Sequence, residues 1–273
     1  MNTLKSVLLL SPTRREREQV PAIAAEMGLN IIFDEFDFDY FDSYLTDTPN
    51  LSAPKLDLMG LIDRTVDKYK YSDLRGVTSA VGYPGALAAS IIAEELSLPG
   101  PSIAAVLTCD HKYYSRLEQK RLVPEATPGF YLIDPACPND LDGNLKFPIF
   151  LKPVKGCMSR NARRIDSRRE LDQRIATSLL SGHFIEPFDE ALRRYTDLTQ
   201  SAAQLIREDF LVGSQVSLEG YVSYGSVKVL GIIDAIMVPG TSSFERFQYP
   251  STLPAQVLSR MEDIASRFFS GIG

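Results

Sequence analysis

Two histidines and three cysteines in 273 residues are thin material for a metal centre. His111 and His183 stand alone, with no acidic cluster at ligand spacing, so no zinc site is expected and both read as surface or packing residues. Cys109, Cys137 and Cys157 form no CxxC pair, and an odd, sparse set points to reduced thiols in a cytoplasmic setting. Basic charge is short as well. With 29 Lys and Arg against 35 Asp and Glu, the net charge of −6 argues against a general nucleic-acid binder. No window reaches the apolar length of a membrane span, and the apolar run over 7–10 near the start is too short for a signal-peptide core. The GxGxxG, GxSxG and Gly-Lys-Ser/Thr patterns are missing, as are internal repeats, which removes support for a dinucleotide site, a hydrolase elbow and a Walker loop.

What is present is an ordinary globular balance, 44% apolar and 23% charged, in a chain long enough for more than one domain. A strand over 7–10, a helix over 14–27 closed by Gly28, and a strand over 30–33 make an opening βαβ unit with a parallel sheet as its product. The acidic–aromatic run 34–44 reads as a solvated loop ahead of a partner surface. A helix over 56–69, a strand over 76–81 and an Ala-rich helix over 86–96 follow, until Leu98-Pro99-Gly100-Pro101 breaks the pattern and ends the first domain nearby. Beyond it come a polar helix over 113–121, a strand over 130–133 and a loop over 135–143. Helical patterning covers 170–180 and 188–206, with a break near Thr196, and the pattern switches to strand over 208–215. A hairpin of 216–222 and 226–233 turns at Ser223-Tyr224-Gly225, and a loop over 240–250 leads to an amphipathic helix over 254–269 that Gly271 stops.

The stretch 146–165, KFPIFLKPVKGCMSRNARRI, stands at the centre. Its apolar run reads as a buried strand ended by Lys152-Pro153, followed by a loop of small residues and a short strand near Arg164-Ile165. A lysine leaving a strand beside such a loop suits polyphosphate oxygens, with backbone N–H groups closing over them; a surface hairpin with a solvated lysine is the other reading. Seven basic residues against one acid between Lys152 and Arg169 fit a triphosphate or, equally, a solvated basic face.

Lys112, the lysine strand with its loop, and Glu208-x-x-Leu211-x-Gly213-x-Gln215 before a hairpin occur in the order seen in the ATP-grasp superfamily of carboxylate–amine and carboxylate–thiol ligases, which this sequence resembles from about Val77 to about Ile264. The resemblance implies an α/β and α+β chain. A doubly wound pre-ATP-grasp domain (1–107) would precede a linker and lid (108–207) and the start of a C-terminal ATP-grasp subdomain (208–273). It implies ATP as cofactor, a small carboxylate and an amine as substrates, an acyl-phosphate intermediate, and no nucleic-acid or membrane partner. By position, Lys112 and Lys152 would contact phosphates with Ser159 in the closing loop, and Glu208 with the backbone of Asp209 and Leu211 would meet the adenine edge. Gln215 stands where a glutamate usually meets the ribose, and Met158, Arg160 and Asn161 stand where glycines are common. Arg246 is a candidate for holding a substrate carboxylate, or else a surface arginine. Magnesium is expected for the family, but its acidic ligands would lie after the final helix and no residue follows Gly273. The expectation is therefore a ligase piece without its metal site. The alternative is a catalytically inactive nucleotide- or metabolite-binding protein, its sheet edge covered by a second copy in a homodimer.

Overall fold

The structure, a computed structural model, describes residues 5–34, 56–137, 145–157, 159–177, 182–238, 240–241 and 243–272. In chain order its elements begin with β1 (Lys5–Leu10), α1 (Arg14–Glu26), β2 (Leu29–Asp34), α2 (Leu58–Tyr69), β3 (Leu74–Ser79), α3 (Gly85–Glu95), α4 (Ile103–Asp110) and α5 (Lys112–Leu122). They continue with β4 (Phe130–Ile133), β5 (Ile149–Pro153), β6 (Arg163–Ile165), α6 (Arg168–Thr177), α7 (Gly182–Tyr195) and β7 (Leu205–Asp209). The hairpin of β8 (Val216–Ser223) and β9 (Ser226–Met237), then β10 (Phe244–Gln248) and α8 (Ala255–Ile272), complete the chain. These form two units, Met1–Asp110 with Leu180–Ala202, and His111–Leu179 with Ala203–Gly273.

The first unit is built on a parallel sheet in the order β2-β1-β3. Leu8, Leu9 and Leu10 are all buried, as a central parallel strand covered on both faces requires. Thr13 starts α1 with a capping box, its backbone N–H donating to Glu16 Oε2 at 2.9 Å and its hydroxyl accepting from Arg15 N–H, while Gly28 at φ 67° ends the turn that follows. The apolar α3 is buried nearly all round and packs on β3 and α4. Tyr83 fixes α7 in this unit: its hydroxyl donates to the Phe184 carbonyl at 3.0 Å and its ring meets Phe184 and Phe188 edge-on.

In the second unit an antiparallel sheet runs β4-β7-β5-β6, and a second runs β10-β9-β8. Leu171 and Ile175 of α6 are buried, and α8 packs on β9, β8 and α5.

The structure corrects several expectations. Leu205 and Ile206 open β7 instead of ending a helix, because the strand slots between β4 and β5 and receives a partner on each side. The helix before it starts at Gly182 rather than 188 and packs with the first unit, although the sequence division had put it with the lid. The boundary at 207/208 likewise falls inside β7. β3 lies two residues earlier than expected, α4 fills a stretch with no assigned element, and 210–215 is loop rather than strand. Residues 244–248 pair with the long β9 as β10 instead of forming loop. Gly271 does not stop the last helix; it lies inside α8, where an added Cβ would stand 2.5 Å from Leu122 Cδ2, so its small size serves helix contact. The expected acidic loop 34–44 and Met158 lie outside the described residues, Asp34 excepted. Among the described residues no helix is long and apolar enough to cross a membrane.

Candidate functional site

The register of the first sheet of the second unit builds the site. β5 pairs with β7 so that Phe150 faces Glu208 and Lys152 faces Ile206. Cross-strand partners share a face, so Lys152 and Glu208 become diagonal neighbours on one side of the sheet. Ile149 and Leu151 turn to the other side and are buried. Lys152 therefore sits inside β5, not at its exit. Its Nζ donates to Glu208 Oε2 at 2.8 Å. Arg116, one turn beyond the start of α5, grips the same carboxylate with Nε on Oε1 at 2.7 Å and Nη2 on Oε2 at 3.2 Å.

This trio is largely withdrawn from water, with side-chain exposures of 20% for Arg116, 17% for Lys152 and 5% for Glu208. Burial pushes the Glu208 carboxyl upward, but the Arg116 hydrogen bond and the Lys152 charge together outweigh it and hold the group below the ordinary glutamate value. Burial lowers Lys152 below the ordinary lysine value, the nearby Arg116 adds to this, and the attraction of Glu208 recovers only part. Two cations against one carboxylate leave one positive charge in excess at the floor of the site.

A second lysine approaches from the start of α5. His111 caps that helix, its buried Nδ1 accepting from Tyr114 N–H at 3.4 Å. Lys112 Nζ then donates to the carbonyls of Gly156 at 2.9 Å and Val154 at 3.3 Å. It ties the helix start to the loop that follows β5. That loop takes left-handed backbone at Ser159 (φ 57°) and Asn161 (φ 55°) and closes on two short turns, Arg160 N–H to the Cys157 carbonyl and Ala162 N–H to the Ser159 carbonyl, each at 3.1 Å. The segment after β7 forms the opposite wall. Asp209 N–H donates to the Gly129 carbonyl and the Asp209 carboxylate accepts from Gly129 N–H, both at 2.9 Å. A Cβ at Gly129 would stand 2.5 Å from that carboxylate, so only glycine allows the approach. Arg164 of β6 lies over the Phe210 ring at 4.9 Å, and the Gln215 carbonyl accepts from Ala235 N–H.

Between these walls lies a cleft of about 770 Å³. Lys112, Lys152, Ser159, Glu208, Asp209, Leu211 and Gln215 all line it. Arg246 does not: it stands in β10 opposite Ile236 and bonds to Glu245 at 2.8 Å, while Phe244 reaches the cleft wall. His111 is buried as a packing residue, and the His183 side chain lies outside the described atoms. Sequence reasoning missed Arg116, whose signal was its four-residue spacing from Lys112 on one helix face. It also missed the apolar wall of Phe150, Phe210, Met237 and Phe244. The volume suits a small-molecule ligand, and a cationic floor beneath an apolar wall suits an anionic group joined to a flat ring. Among the described residues no group of three or more His, Cys, Asp and Glu side chains is placed to hold a metal ion.

No protein-family model matches the chain, and no curated protein matches it by sequence. Solved structures do match it by shape. L-amino acid ligase from Bacillus licheniformis aligns with a TM-score of 0.68 at 19% identity, over 98% of this chain and 60% of the ligase. The biotin carboxylase domain of Hydrogenobacter thermophilus 2-oxoglutarate carboxylase, solved with MgADP, ADP and bicarbonate, aligns at 0.66 with 16% identity over 100% of this chain and 59% of that one. VanG D-Ala:D-Ser ligase from Enterococcus faecalis aligns at 0.62 with 15% identity, over 98% and 83%. This chain thus spans about 60% of the length of the first two relatives.

Proposed function

We propose that this chain, whose fold is that of the ATP-grasp superfamily, binds ATP in the cleft of its second unit and serves a ligase that joins a small carboxylate to an amine or thiol. The observation that carries this reading is the pair of lysines, Lys112 and Lys152, that come from separate elements to one cleft with an excess of positive charge at its floor. Phosphoryl transfer asks a protein for alignment and charge neutralisation rather than covalent help, and two positioned ammonium groups supply both. In this proposal Lys112 and Lys152 hold phosphate oxygens and Ser159 closes from its loop. The backbone at Asp209 and Leu211 meets the adenine edge, and the Gln215 amide bonds the ribose hydroxyls. Glu208 has both carboxylate oxygens engaged by cations, so its part is to organise Lys152 rather than to read the base.

Bound there, ATP would pass its terminal phosphoryl group to a carboxylate, giving ADP and an acyl phosphate; the amine or thiol would then attack the acyl carbon and displace inorganic phosphate. The apolar wall at Phe244 favours a substrate with an apolar part. Among the described residues no group of three or more His, Cys, Asp and Glu side chains gathers there, so magnesium would be held mainly by the phosphates themselves. We propose that the full reaction belongs to a longer polypeptide, which the 60% coverage of the L-amino acid ligase supports, and that its setting is cytoplasmic, which the sparse, odd set of cysteines supports.

A thermal-shift titration with ATP, with and without magnesium and beside Lys152→Ala, tests the proposal. A ligand that binds only the folded state must raise the melting temperature. The expected result is a shift in the wild-type chain that disappears in the variant. No shift at saturating ATP in either condition would overturn the reading.

A further inference from the structure

Glu208 has more cationic company than a single salt bridge needs, and the two cations are not equivalent. Arg116 covers both carboxylate oxygens and has Oε1 to itself, whereas Lys152 is a second donor on Oε2 only. Arg116 is braced by its own helix: its Nη1 donates to Gln119 Oε1, and Gln119 Nε2 donates to Ser115 Oγ at 3.1 Å. Its planar fork is fixed and always charged, while the lysine is a compact charge on a flexible stem. Lys152 and Glu208 line the cleft, and Arg116 reaches the carboxylate from the α5 side without lining it.

A buried carboxylate stripped of its partner is costly, and a lysine that is the sole partner of such a group cannot leave it cheaply. We propose that Arg116 is a positioning residue that keeps Glu208 neutralised when Lys152 leaves it for the nucleotide phosphates. This rests on the ATP reading above. Arg116 fixes the carboxylate, and the carboxylate parks Lys152 at the cleft floor. The lysine exchanges one oxygen partner for another while no buried charge is stranded.

Two readouts on the full chain test this: ATP affinity by calorimetry, and the rate at which acetic anhydride labels Lys152 without nucleotide, followed by mass spectrometry. Arg116→Met leaves Lys152 as the only partner of Glu208, so labelling should slow and ATP affinity should fall by about tenfold, the loss of one charge-assisted hydrogen bond's worth of freedom. Adding Glu208→Gln to Arg116→Met removes the carboxylate that traps the lysine and should return labelling to within about twofold of wild type and ATP affinity to that of Glu208→Gln alone. Adding instead Glu262→Gln, on the exposed side of α8, restores the net charge alone and should restore neither.

A folded Arg116→Met chain that labels and binds like wild type overturns the proposal, as does equal rescue by Glu262→Gln. If Arg116→Met does not fold, the comparison moves to the Glu208→Gln background, where Arg116 has no carboxylate to neutralise and its removal must leave ATP affinity unchanged; a fall there overturns the proposal. A wild-type chain that fails to bind ATP overturns the ATP reading and the nucleotide half of this one, while the labelling ratio decides the Arg116–Lys152 link by itself.

Discussion

At the scale of the residue, Glu208 sets the acid behaviour of the second unit. Although burial alone would raise its carboxyl, Arg116 and Lys152 hold it below the ordinary value of 4.5, so the folded chain keeps it ionised at a pH where the unfolded chain has taken up a proton. In that window the unfolded state binds more protons, and stability rises with pH. The contribution is therefore complete above pH 4.5 and is lost as pH falls through the folded value. Urea midpoints measured from pH 6 downward should drop on this limb, by about the steepness one linked proton allows. Glu208→Gln should lower the midpoint at neutral pH and flatten the acid slope; an unchanged slope would count against the ion-pair account. Lys152 works at the other end. Its ammonium, lowered mainly by burial, is lost at a pH below the ordinary 10.5, and ATP affinity should decline on that alkaline limb. The lysine and the glutamate were legible in the sequence as separate candidates. Their contact was not, because a diagonal pair across two strands depends on a register that joins residues 152 and 208.

At the scale of the element, the sheet of β8, β9 and β10 shows how neighbours override local pattern. The hairpin turn at Tyr224 (φ 47°) and Gly225 (φ 73°) was readable from composition, since both turn positions take left-handed backbone. Further along β8, Gly220 sits at a register shift opposite Val229, where a Cβ would stand 2.4 Å from the Lys228 carbonyl oxygen. Backbone cannot yield there as a flexible side chain would. Gly220→Ala should destabilise the chain by about 1 to 3 kcal/mol, the usual cost of overpacking, seen as an earlier chemical-denaturation midpoint. The strand β10 was invisible in the sequence: PGTSSFERFQYP reads as loop until a twelve-residue β9 offers it an edge. The turn after it is set by Asp234, whose carboxylate accepts from Ser251 Oγ and from both the N–H and hydroxyl of Thr252. Helix α8 was legible through its apolar spacing, but its last turn was not, because the glycine that would ordinarily end a helix is there to let Leu122 approach.

At the scale of the whole molecule, the chain has the ATP-grasp fold, and every residue proposed to meet ATP belongs to the second unit. A ligand stabilises only the cooperative unit that holds its site. Hydrogen exchange with saturating ATP should therefore slow at β5, at β7 and along 210–216, and stay unchanged at β1 and β3. Equal protection of both parallel-sheet strands would place the ligand elsewhere. The second unit is assembled from two separate segments, His111–Leu179 and Ala203–Gly273, with α7 of the first unit between them in sequence. A linear division into three consecutive pieces could not show this, because β7 belongs by pairing to strands on the far side of that helix.

By itself the sequence determined the parallel opening, the hairpin of β8 and β9, the lysine strand and the order of residues on which the ATP-grasp resemblance rests. Each of these is written in local apolar spacing, turn chemistry or a short motif, and needs no distant partner to be read. Only the tertiary structure decided that β7 begins at Leu205, that 244–248 joins a sheet, and that Arg116 stands behind Glu208. These outcomes depend on which chain segments lie side by side. Arg116 and Glu208 are 92 residues apart, so no local window contains both, and for β10 the pairing with a nearby β9 outweighs a composition that reads as loop.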